Sequence, residues 1–160
     1  MTERALIAMS GGVDSSVAAF LTKDMGYDAT GITLKLFDNE DIGEKREKTC
    51  CSLDDIDDAR RVCLKLGIPY YVYNFKDSFK ENVIDRFIRA YENGTTPNPC
   101  IDCNRFIKFE KLIRRAEELD FDCVVTGHYS TIEYDKGADR YLLKKSVDST
   151  KDKSYVLYCL

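Results

Sequence analysis

Residues 10–16 read SGGVDSS, and they follow a short apolar run from Arg4 to Met9. An apolar run that stops at a Gly-Gly pair is typical of a buried strand entering a tight turn. From Asp14 the pattern becomes helical, and Gly26 ends the helix. The apolar residues expected on one face of this helix are Val17, Ala18 and Leu21. The stretch therefore predicts the strand, turn and helix that open a parallel α/β fold.

Strand-like and helical segments alternate along the rest of the chain. Their order, β-α-β-α-β-α-α-β, predicts an α/β fold in which a parallel sheet is sandwiched by helices. Beyond Gly127 two strand-like runs flank Asp135-Lys136-Gly137, which predicts a hairpin. The segments are a strand from Thr30 to Phe37, a loop over 38–51, a helix from the N-cap Ser52 through Ile56, Ala59 and Cys63 to Leu66, a strand from Pro69 to Phe75, a helix through Phe79, Val83, Phe87 and Ala90 up to Gly94, a helix through Phe106, Phe109, Leu112, Ile113 and Ala116, a strand from Cys123 to Thr126, and hairpin strands at Thr131–Tyr134 and Tyr141–Lys144.

The composition excludes several classes of protein. A chain of 160 residues with 44% hydrophobic and 32% charged residues is suited to one globular domain and not to disorder. No apolar run approaches the roughly 18 residues that a membrane helix needs, and no signal peptide is apparent. The net charge of −4 excludes a surface coated in basic charge but not a local basic face. The seven cysteines are an odd number and include the adjacent pair Cys50 and Cys51, so they form a poor disulfide framework and favour a reducing cytoplasm.

The glycine turn favours an anion. At the carboxyl end of the first strand, two glycines let backbone N–H groups approach a ligand, and a helix N-terminus supplies the positive end of its dipole. Ser10, Ser15 and Ser16 add hydroxyl donors. The Walker lysine and the G-x-G-x-x-G fingerprint are both absent. The pattern predicts phosphate or pyrophosphate binding; the competing interpretation is a plain strand–helix turn capped by Asp14 or Ser15.

A second constellation is a pair of cysteines at a helix start. In TPNPCIDCN, residues 96–104, Asn98 can cap the helix and Pro99 suits its first position. Cys100 and Cys103 then share one face of the first turns, where the helix dipole should lower the pKa of a thiol. Lys108 and Arg105 are near enough in sequence to help. The alternatives are buried packing, redox chemistry or half of a zinc site, although the chain has no second C-x-x-C pair and only one histidine, His128.

These motifs resemble known families. SGGVDSS after an apolar strand resembles the PP-loop of the N-type ATP pyrophosphatases, which have a Rossmann-like, adenine nucleotide alpha hydrolase-like fold. The stretch at 96–109 and two later segments resemble the bacterial tRNA-specific 2-thiouridylases, the MnmA family, and the resemblance covers nearly all of the chain. The matching residues are Cys103, Asn104, Ile107, Lys108 and Phe109, then Thr126 to Tyr129, then Asp148 to Asp152 with Ser154 and Tyr155.

The resemblance implies an enzyme that thiolates the wobble uridine, position 34, of tRNAs for Lys, Glu and Gln. ATP with Mg²⁺ would adenylate the C2 oxygen and release pyrophosphate, and sulfur from a donor protein or sulfide would then displace AMP. Family members are about twice this length. Residues 1–160 would be the adenylation domain of a monomer or weak dimer, with about 130–160 leading into a central domain and a C-terminal β-barrel. The apolar end, YVLYCL, fits a fragment that is inactive alone.

The resemblance also assigns site residues. Cys103 matches the nucleophile that carries or delivers sulfur, with Cys100 beside it. The residues implied for ATP binding are Ala8, Met9, Ser10, Gly11, Gly12, Val13, Asp14 and Ser15, with main-chain atoms of Leu34 and Gly127. The residues implied for tRNA contact are Asn98, Pro99 and Cys100 near the target base, then His128, and then Lys151, Asp152 and Lys153. For His128 the competing interpretation is a strand-end histidine satisfied by the backbone.

Two positions depart from the family pattern. The usual D-x-x-C has Asp where this chain has Cys100, and the usual K-D-Q-S-Y has Gln where it has Lys153. The first departure resembles tRNA thiolases that depend on iron and sulfur, in which three thiolates hold a [4Fe-4S] cluster. Cys100 and Cys103 would then be two ligands, with the third beyond Leu160. The sequence assigns no role to Cys50 or Cys51, and Cys63 and Cys123 fit buried structural positions.

Two alternatives remain at this stage. One is another PP-loop ATP pyrophosphatase or sulfurtransferase that acts on a small molecule, for which AMP formation would depend on a metabolite instead of tRNA. The other is an inactive fragment that binds a nucleotide or an iron–sulfur cluster without turnover.

Overall fold

The computed structural model describes residues 2–38 and 53–158, so the expectations for Ser52, Cys50, Cys51 and the end of the chain at 159–160 lie outside the described residues. The elements are β1 (Arg4–Ala8), α1 (Val13–Asp24), β2 (Asp28–Lys35), α2 (Leu53–Leu66), β3 (Tyr70–Asn74), α3 (Lys76–Phe79), a π-helical segment (Lys80–Ile84), α4 (Asp85–Glu92), α5 (Pro99–Asp102), a second π-helical segment (Cys103–Lys111), α6 (Leu112–Glu118), β4 (Cys123–Val125), β5 (Thr131–Asp135), β6 (Arg140–Lys144) and a 3₁₀ turn (Ser154–Val156).

Four strands form a parallel sheet in the order β3-β2-β1-β4. The predicted alternation and the parallel sheet are confirmed, with strand ends shifted by one or two residues. Helices cover both faces, as expected. One core lies under α1 and α2 and contains Ile7, Ala19, Ala59 and Cys63. The other core lies under the helices at 76–118 and contains Leu6, Ile32, Leu34, Val83, Ile107 and Leu112.

The buried face of α1 differs from the prediction. Val17 and Leu21 are 49% and 45% exposed, while the buried residues are Ser15, Ala19 and Thr22. The cause is the close approach of this helix to the sheet, because a Cβ at Gly127 would lie only 2.9 Å from the backbone N of Ser15. Small side chains permit that distance, so the larger apolar residues point away.

The helical path at 99–118 begins as predicted. The Asn98 side chain accepts a hydrogen bond of 3.0 Å from the Cys100 N–H, and Pro99 is the first helical residue. The buried residues farther along are Asn104, Ile107, Leu112 and Ala116, while Phe106, Phe109 and Ile113 of the expected stripe are only partly buried. The five-residue step from Ile107 to Leu112 arises because this segment is π-helical, with the Leu112 N–H donating to the Ile107 carbonyl.

The predicted hairpin is present as β5 and β6, in antiparallel register with Thr131 opposite Lys144. Its turn is held by the Asp135 carboxylate, which accepts hydrogen bonds from the N–H groups of Gly137 and Ala138 at 2.8 and 3.2 Å. Among the helices within residues 2–38 and 53–158, none has the length and apolar character needed to cross a membrane.

Candidate functional site

The loop at residues 9–12 lies at the topological switch point of the sheet, where the connections pass from one face of the sheet to the other. β1 is flanked by β2 on one side and by β4 on the other, and the chain leaves β1 toward α1 but reaches β4 from α6 on the opposite face. In open α/β sheets, ligands bind in the crevice outside the carboxyl ends of the strands at such a switch point. Ala8 is the last residue of β1 and Val13 the first of α1, so the candidate ATP-binding residues line this crevice.

Serine hydroxyls hold the loop together. Ser15 Oγ donates to the Gly12 carbonyl at 3.0 Å and accepts from the Ser10 N–H at 3.2 Å. Ser16 Oγ also donates to the Gly12 carbonyl, at 2.9 Å. Ser15 and Ser16 therefore donate within the loop, and the role of the three hydroxyls as donors to a ligand stays a prediction. Gly12 is the N-cap of α1, and no side chain makes a capping hydrogen bond there. The interpretation in which Asp14 or Ser15 caps this helix is therefore wrong.

Two glycines are required by close backbone contacts. Gly11 has a φ of +76°, and a Cβ there would lie 2.5 Å from the carbonyl oxygen of Asp55 in α2. At Gly127, just beyond β4, a Cβ would lie 2.9 Å from the N atom of Ser15 and 3.0 Å from the carbonyl carbon of Asp14. The first turn of α1 is thus wedged between the segment after β4 and α2, which fixes where its N–H groups point.

A buried relay fixes the end of β1. Thr33 Oγ1 donates to the Met9 carbonyl at 2.9 Å, and the Tyr70 hydroxyl donates to Thr33 Oγ1 at 2.7 Å. Thr33 is fully buried, and burial is the main cause that raises the pKa of Tyr70. The relay joins β3, β2 and β1 through side chains, so the loop starts from a rigid base.

Leu34 presents main-chain atoms at the same edge. The Met9 N–H donates to the Ile32 carbonyl at 2.7 Å, so Ile32 faces β1. Because strand residues alternate in direction, the N–H and carbonyl of Leu34 also point to the β1 side, beyond the residue at which β1 ends. The Leu34 side chain is buried in the core. Because its side chain is buried, Leu34 can contact a ligand in the crevice only through its backbone.

Residues separated by more than a hundred positions meet beside α1. The Tyr129 hydroxyl donates to Asp14 Oδ1 at 2.8 Å, and Lys151 Nζ lies 4.0 Å from the same oxygen and 5.2 Å from the centre of the Tyr129 ring. The hydrogen bond to Asp14 raises the pKa of the Tyr129 hydroxyl. The Lys153 N–H donates to the Tyr129 carbonyl at 3.0 Å. A cation therefore stands at the start of α1, where the loop itself carries none.

His128 lies between this region and the thiol-bearing helix. Its Nδ1 is 2.8 Å from Thr126 Oγ1, and its ring centre is 5.8 Å from that of Phe109. Burial, with smaller contributions from Lys108 and Lys153, lowers the pKa of His128 from 6.5 to about 4. The imidazole is therefore neutral at physiological pH and can hydrogen-bond a ligand without carrying charge.

This lowered pKa predicts a pH-dependent stability. The unfolded chain binds a proton at His128 below about pH 6.5 while the folded chain does not until about pH 4, so stability should fall as the pH drops through that window. We expect the urea midpoint of His128→Asn to fall less than that of the unmodified protein between about pH 7 and pH 5. Carboxylates contribute equally in both proteins, so parallel midpoints would contradict the prediction.

The two thiols lie at the start of the helix opposite α1. Cys100 is exposed and Cys103 is partly buried. Asn104 Nδ2 donates to the Cys100 carbonyl at 2.8 Å, which adds a side-chain bond to the turn that carries both thiols. α5 also packs against the turn Ser154–Val156, which follows Lys151 and Lys153 in sequence. The predicted ATP, thiol and tRNA segments therefore converge on one region.

Some sequence-based assignments change in this setting. Lys108 lies near His128, and the Arg105 guanidinium lies 5.1 Å from the centre of the Phe106 ring. The Asp152 carboxylate accepts hydrogen bonds from the Ser146 N–H at 2.9 Å and from Ser154 Oγ at 2.8 Å, so it stabilises its own loop.

Cys63 is fully buried, and burial raises the pKa of its thiol to about 11, as suits a structural residue. Burial also raises the pKa of Cys123.

Tyr129 and Asn104 carry no sequence signal of a role beyond their match to the family. Tyr129 acts through Asp14, which is 115 positions away, and no local pattern reports such a contact. Asn104 sits on a face that the helical stripe did not include. The one available signal was their place beside His128 and Cys103 in the sequence.

Residues 3–160 match the family model described as "tRNA methyl transferase HUP domain". The chain is 55% identical over 158 residues to the tRNA-specific 2-thiouridylase MnmA of Clostridium beijerinckii, covering 99% of this chain and 44% of that protein. It is 54% identical over 160 residues to MnmA of Clostridioides difficile, covering all of this chain and 44% of that one. The chain thus spans less than half the length of these curated relatives.

Among solved structures, the glutamine-dependent NAD⁺ synthetase from Acinetobacter baumannii, in complex with ADP, aligns with a TM-score of 0.53 at 13% identity, over 76% of this chain and 21% of that one. The NH₃-dependent NAD synthetase from Campylobacter jejuni aligns with a TM-score of 0.51 at 18% identity, over 77% of this chain and 46% of that one. At these identities the likeness concerns the fold alone.

Proposed function

The chain belongs to the tRNA methyl transferase HUP domain family, and we propose that it is the adenylating part of a tRNA 2-thiouridylase. Its substrates are ATP and the wobble uridine of tRNAs of the Lys, Glu and Gln type, and its products are 2-thiouridine, AMP and pyrophosphate. The reaction takes place in a reducing cytoplasm, and a donor protein supplies the sulfur as sulfane sulfur. The names of the relatives at 55% and 54% identity support this substrate.

One observation carries the proposal: the uncapped start of α1 and the thiol-bearing helix reach the same crevice from opposite faces of the sheet. The first N–H groups of a helix have no partner within it, and at Gly12 no side chain supplies one. They are therefore suited to the phosphates of ATP, with Lys151 as a nearby cation. In this proposal the thiols attack the base that ATP has activated.

In the first step the C2 oxygen of the uridine attacks the α-phosphorus of ATP. The bond from the α-phosphorus to the bridging oxygen breaks, and pyrophosphate leaves with the electron pair. The loop at Ser10 to Ser15 and Gly127 hold the phosphates by backbone N–H groups, and Leu34 main-chain atoms bind the adenosine. Mg²⁺ bound to the phosphates would neutralise part of the charge on the departing pyrophosphate.

In the second step Cys103 carries the sulfur, received from a sulfane donor as a persulfide. The terminal sulfur attacks C2, and AMP leaves with the electron pair of the C2–O bond. A second thiolate then attacks the Cys103 sulfur, which leaves the transferred sulfur on C2 and forms a disulfide that cellular thiols reduce. Asn98, Pro99 and Cys100 flank the target base, and neutral His128, Lys151 and Lys153 contact the tRNA.

The described residues do not complete a site for an iron–sulfur cluster. Within residues 2–38 and 53–158, no group of three or more His, Cys, Asp or Glu side chains is placed to hold a metal ion. Cys100 and Cys103 supply two thiolates, whereas a [4Fe-4S] cluster is held by three or four. No step of the mechanism above passes through a cluster.

The test uses the intact protein purified without oxygen, with ATP, a sulfane-sulfur donor such as a low-molecular-weight persulfide, and tRNA bearing U34. We expect pyrophosphate and AMP to form only when tRNA is present, and 2-thiouridine to appear by mass spectrometry of the nucleosides. A matched tRNA with C34 should support the formation of none of these three products. Iron and acid-labile sulfide are measured on the same sample.

Three outcomes would contradict the proposal. AMP formation that needs a small metabolite instead of tRNA would make this a different PP-loop enzyme. ATP binding without AMP formation, with tRNA present, would leave only a binding module. A cluster lost in both Cys100→Ala and Cys103→Ala would replace the persulfide step by transfer from iron.

A further inference from the structure

A second basic surface lies away from the crevice, in a groove between the open edge of β3 and the first turns of α6. Its volume is about 480 Å³, which is large enough for a ligand fragment. The groove is lined on one side by Tyr73, Asn74 and Phe75 and on the other by Lys111, Arg114 and Arg115. Lys111 ends the π-helical segment that begins at Cys103, and the other residues of the groove lie outside the loop, thiol and His128 segments described above.

The charge of this groove contrasts with that of the chain, whose net charge is −4. Glu118 also lines the groove, but it pairs with Arg115 at 2.8 Å and so neutralises that residue only. The Arg115 guanidinium lies 5.7 Å from the centre of the Tyr73 ring, which holds it against the wall. Lys111 donates to the uncharged hydroxyl of Ser78. Within the described residues Arg114 has no carboxylate within 4.0 Å, so two uncompensated cations remain.

The strand contributes backbone donors to the same groove. β3 is an edge strand of the sheet that the described residues form. Just after β3 the Phe75 N–H donates to the Lys35 carbonyl, and just before it the Pro69 carbonyl accepts from the Gly31 N–H. The odd-numbered residues therefore face β2. The N–H groups of Val72 and Asn74 therefore point to the open side. Guanidinium, ammonium and N–H donors together match a phosphate.

The position of the groove relates it to the proposed substrate. Cys103 and Lys111 are the two ends of one π-helical segment. At no more than the α-helical rise, eight residues span about 12 Å. A polymer whose base reaches the thiols can therefore continue to the groove along a single helix, and aromatic walls beside cations are usual where single-stranded nucleic acid binds.

We propose that the groove between β3 and α6 binds the phosphodiester backbone of the tRNA next to the modified nucleotide, chiefly through Arg114 and Lys111. This inference rests on the proposed function and adds a contact that positions the RNA but does not read its sequence. Arg114 is the more informative residue, because Lys111 also supports Ser78.

The test compares Arg114→Gln with Arg61→Gln in the intact protein. Arg61 is an exposed arginine of α2, on the other face of the sheet. The dissociation constant for U34 tRNA is measured over a range of salt concentrations. We expect Arg114→Gln to weaken binding several-fold and to reduce the slope of log K against log salt by about 0.7–0.9, the value for one lost phosphate contact. A C34 tRNA should show the same change, since the contact carries no base information.

An unchanged slope in both Arg114→Gln and Lys111→Gln would overturn the inference, as would an equal loss in Arg61→Gln. Weaker binding of inorganic phosphate by Arg114→Gln, measured by calorimetry, with tRNA binding intact would make the groove a small-anion site instead. AMP formation by the unmodified protein distinguishes failure of the groove assignment from failure of the proposed function. If it forms AMP with tRNA while the variants bind tRNA normally, only the groove assignment fails; if it forms none, the proposed function fails.

Discussion

Cys103→Ala is expected to abolish 2-thiouridine formation, by roughly 10³-fold or more, while a first round of adenylation survives. Cys103 is partly buried at the start of the thiol-bearing helix and touches the core that includes Ile107 and Leu112. The Cβ left by alanine occupies part of the same space, so the loop at residues 9–12, which follows β1, should be undisturbed. The measurement is pre-steady-state pyrophosphate release with tRNA, followed by nucleoside analysis.

The matched control is Cys123→Ala, which removes a thiol whose pKa is raised by burial in β4. It should retain thiolation, because that thiol is not placed beside the base. If Cys103→Ala still makes 2-thiouridine at a comparable rate, sulfur does not travel through Cys103. If pyrophosphate release is lost as well, the thiol serves the adenylation step, and the two-step division above is wrong.

Gly11→Ala is expected to destabilise the fold by about 2–5 kcal/mol. Two costs combine: a φ of +76° is unfavourable for an L side chain by about 1–2 kcal/mol, and a Cβ only 2.5 Å from the Asp55 carbonyl oxygen forces the backbone apart at about 1–3 kcal/mol. For a domain of this size the melting temperature should fall by about 4–20 °C. Because Asp55 is in α2, the shift would also separate that helix from the loop.

Gly12→Ala is the internal control for this substitution. Gly12 has a φ of −80°, and its Cβ would meet Ser10 Oγ at an ordinary 3.5 Å. We expect it to lower the melting temperature by less than about 4 °C, since alanine is only a poorer residue at a helix start. Equal losses in the two variants would show that the loop is intolerant of any side chain and that the contact with Asp55 is not the cause.

The fold was predictable because each element carries its own local pattern. The apolar strand before Ser10, the cap at Asn98 and the turn at Asp135 are all read from neighbours in sequence, and the structure confirms them. The order of the strands has no such signal, although it alone places β4 beside β1. The prediction of which face of α1 is buried was wrong, because the packing of this helix is set by Gly127, more than a hundred residues away.

The candidate site was predictable in part for the same reason. SGGVDSS and the two thiols are local motifs with local chemistry. The link from Tyr129 to Asp14, and the neutral state of His128, depend on what the fold brings together and on how far it excludes water. Family resemblance pointed to these positions without saying what they touch. No sequence motif predicts the groove beside α6, because its cations come from a helical segment whereas its backbone N–H donors come from the edge strand β3.

The π-helical segment after Cys103 has a consequence for how the family can vary in length. A π turn accommodates about one more residue than an α turn, and here Ile107 and Leu112, five positions apart, both face the core. A relative with a one-residue gap at this point can wind the same stretch as an α-helix and keep its thiol in the same place. Were the helix to rewind without the gap, everything before Ile107 would turn by about 100° and carry the thiols away from the crevice. An alignment gap inside this helix is therefore compatible with an unchanged active site, whereas the same gap between Cys100 and Cys103 is not.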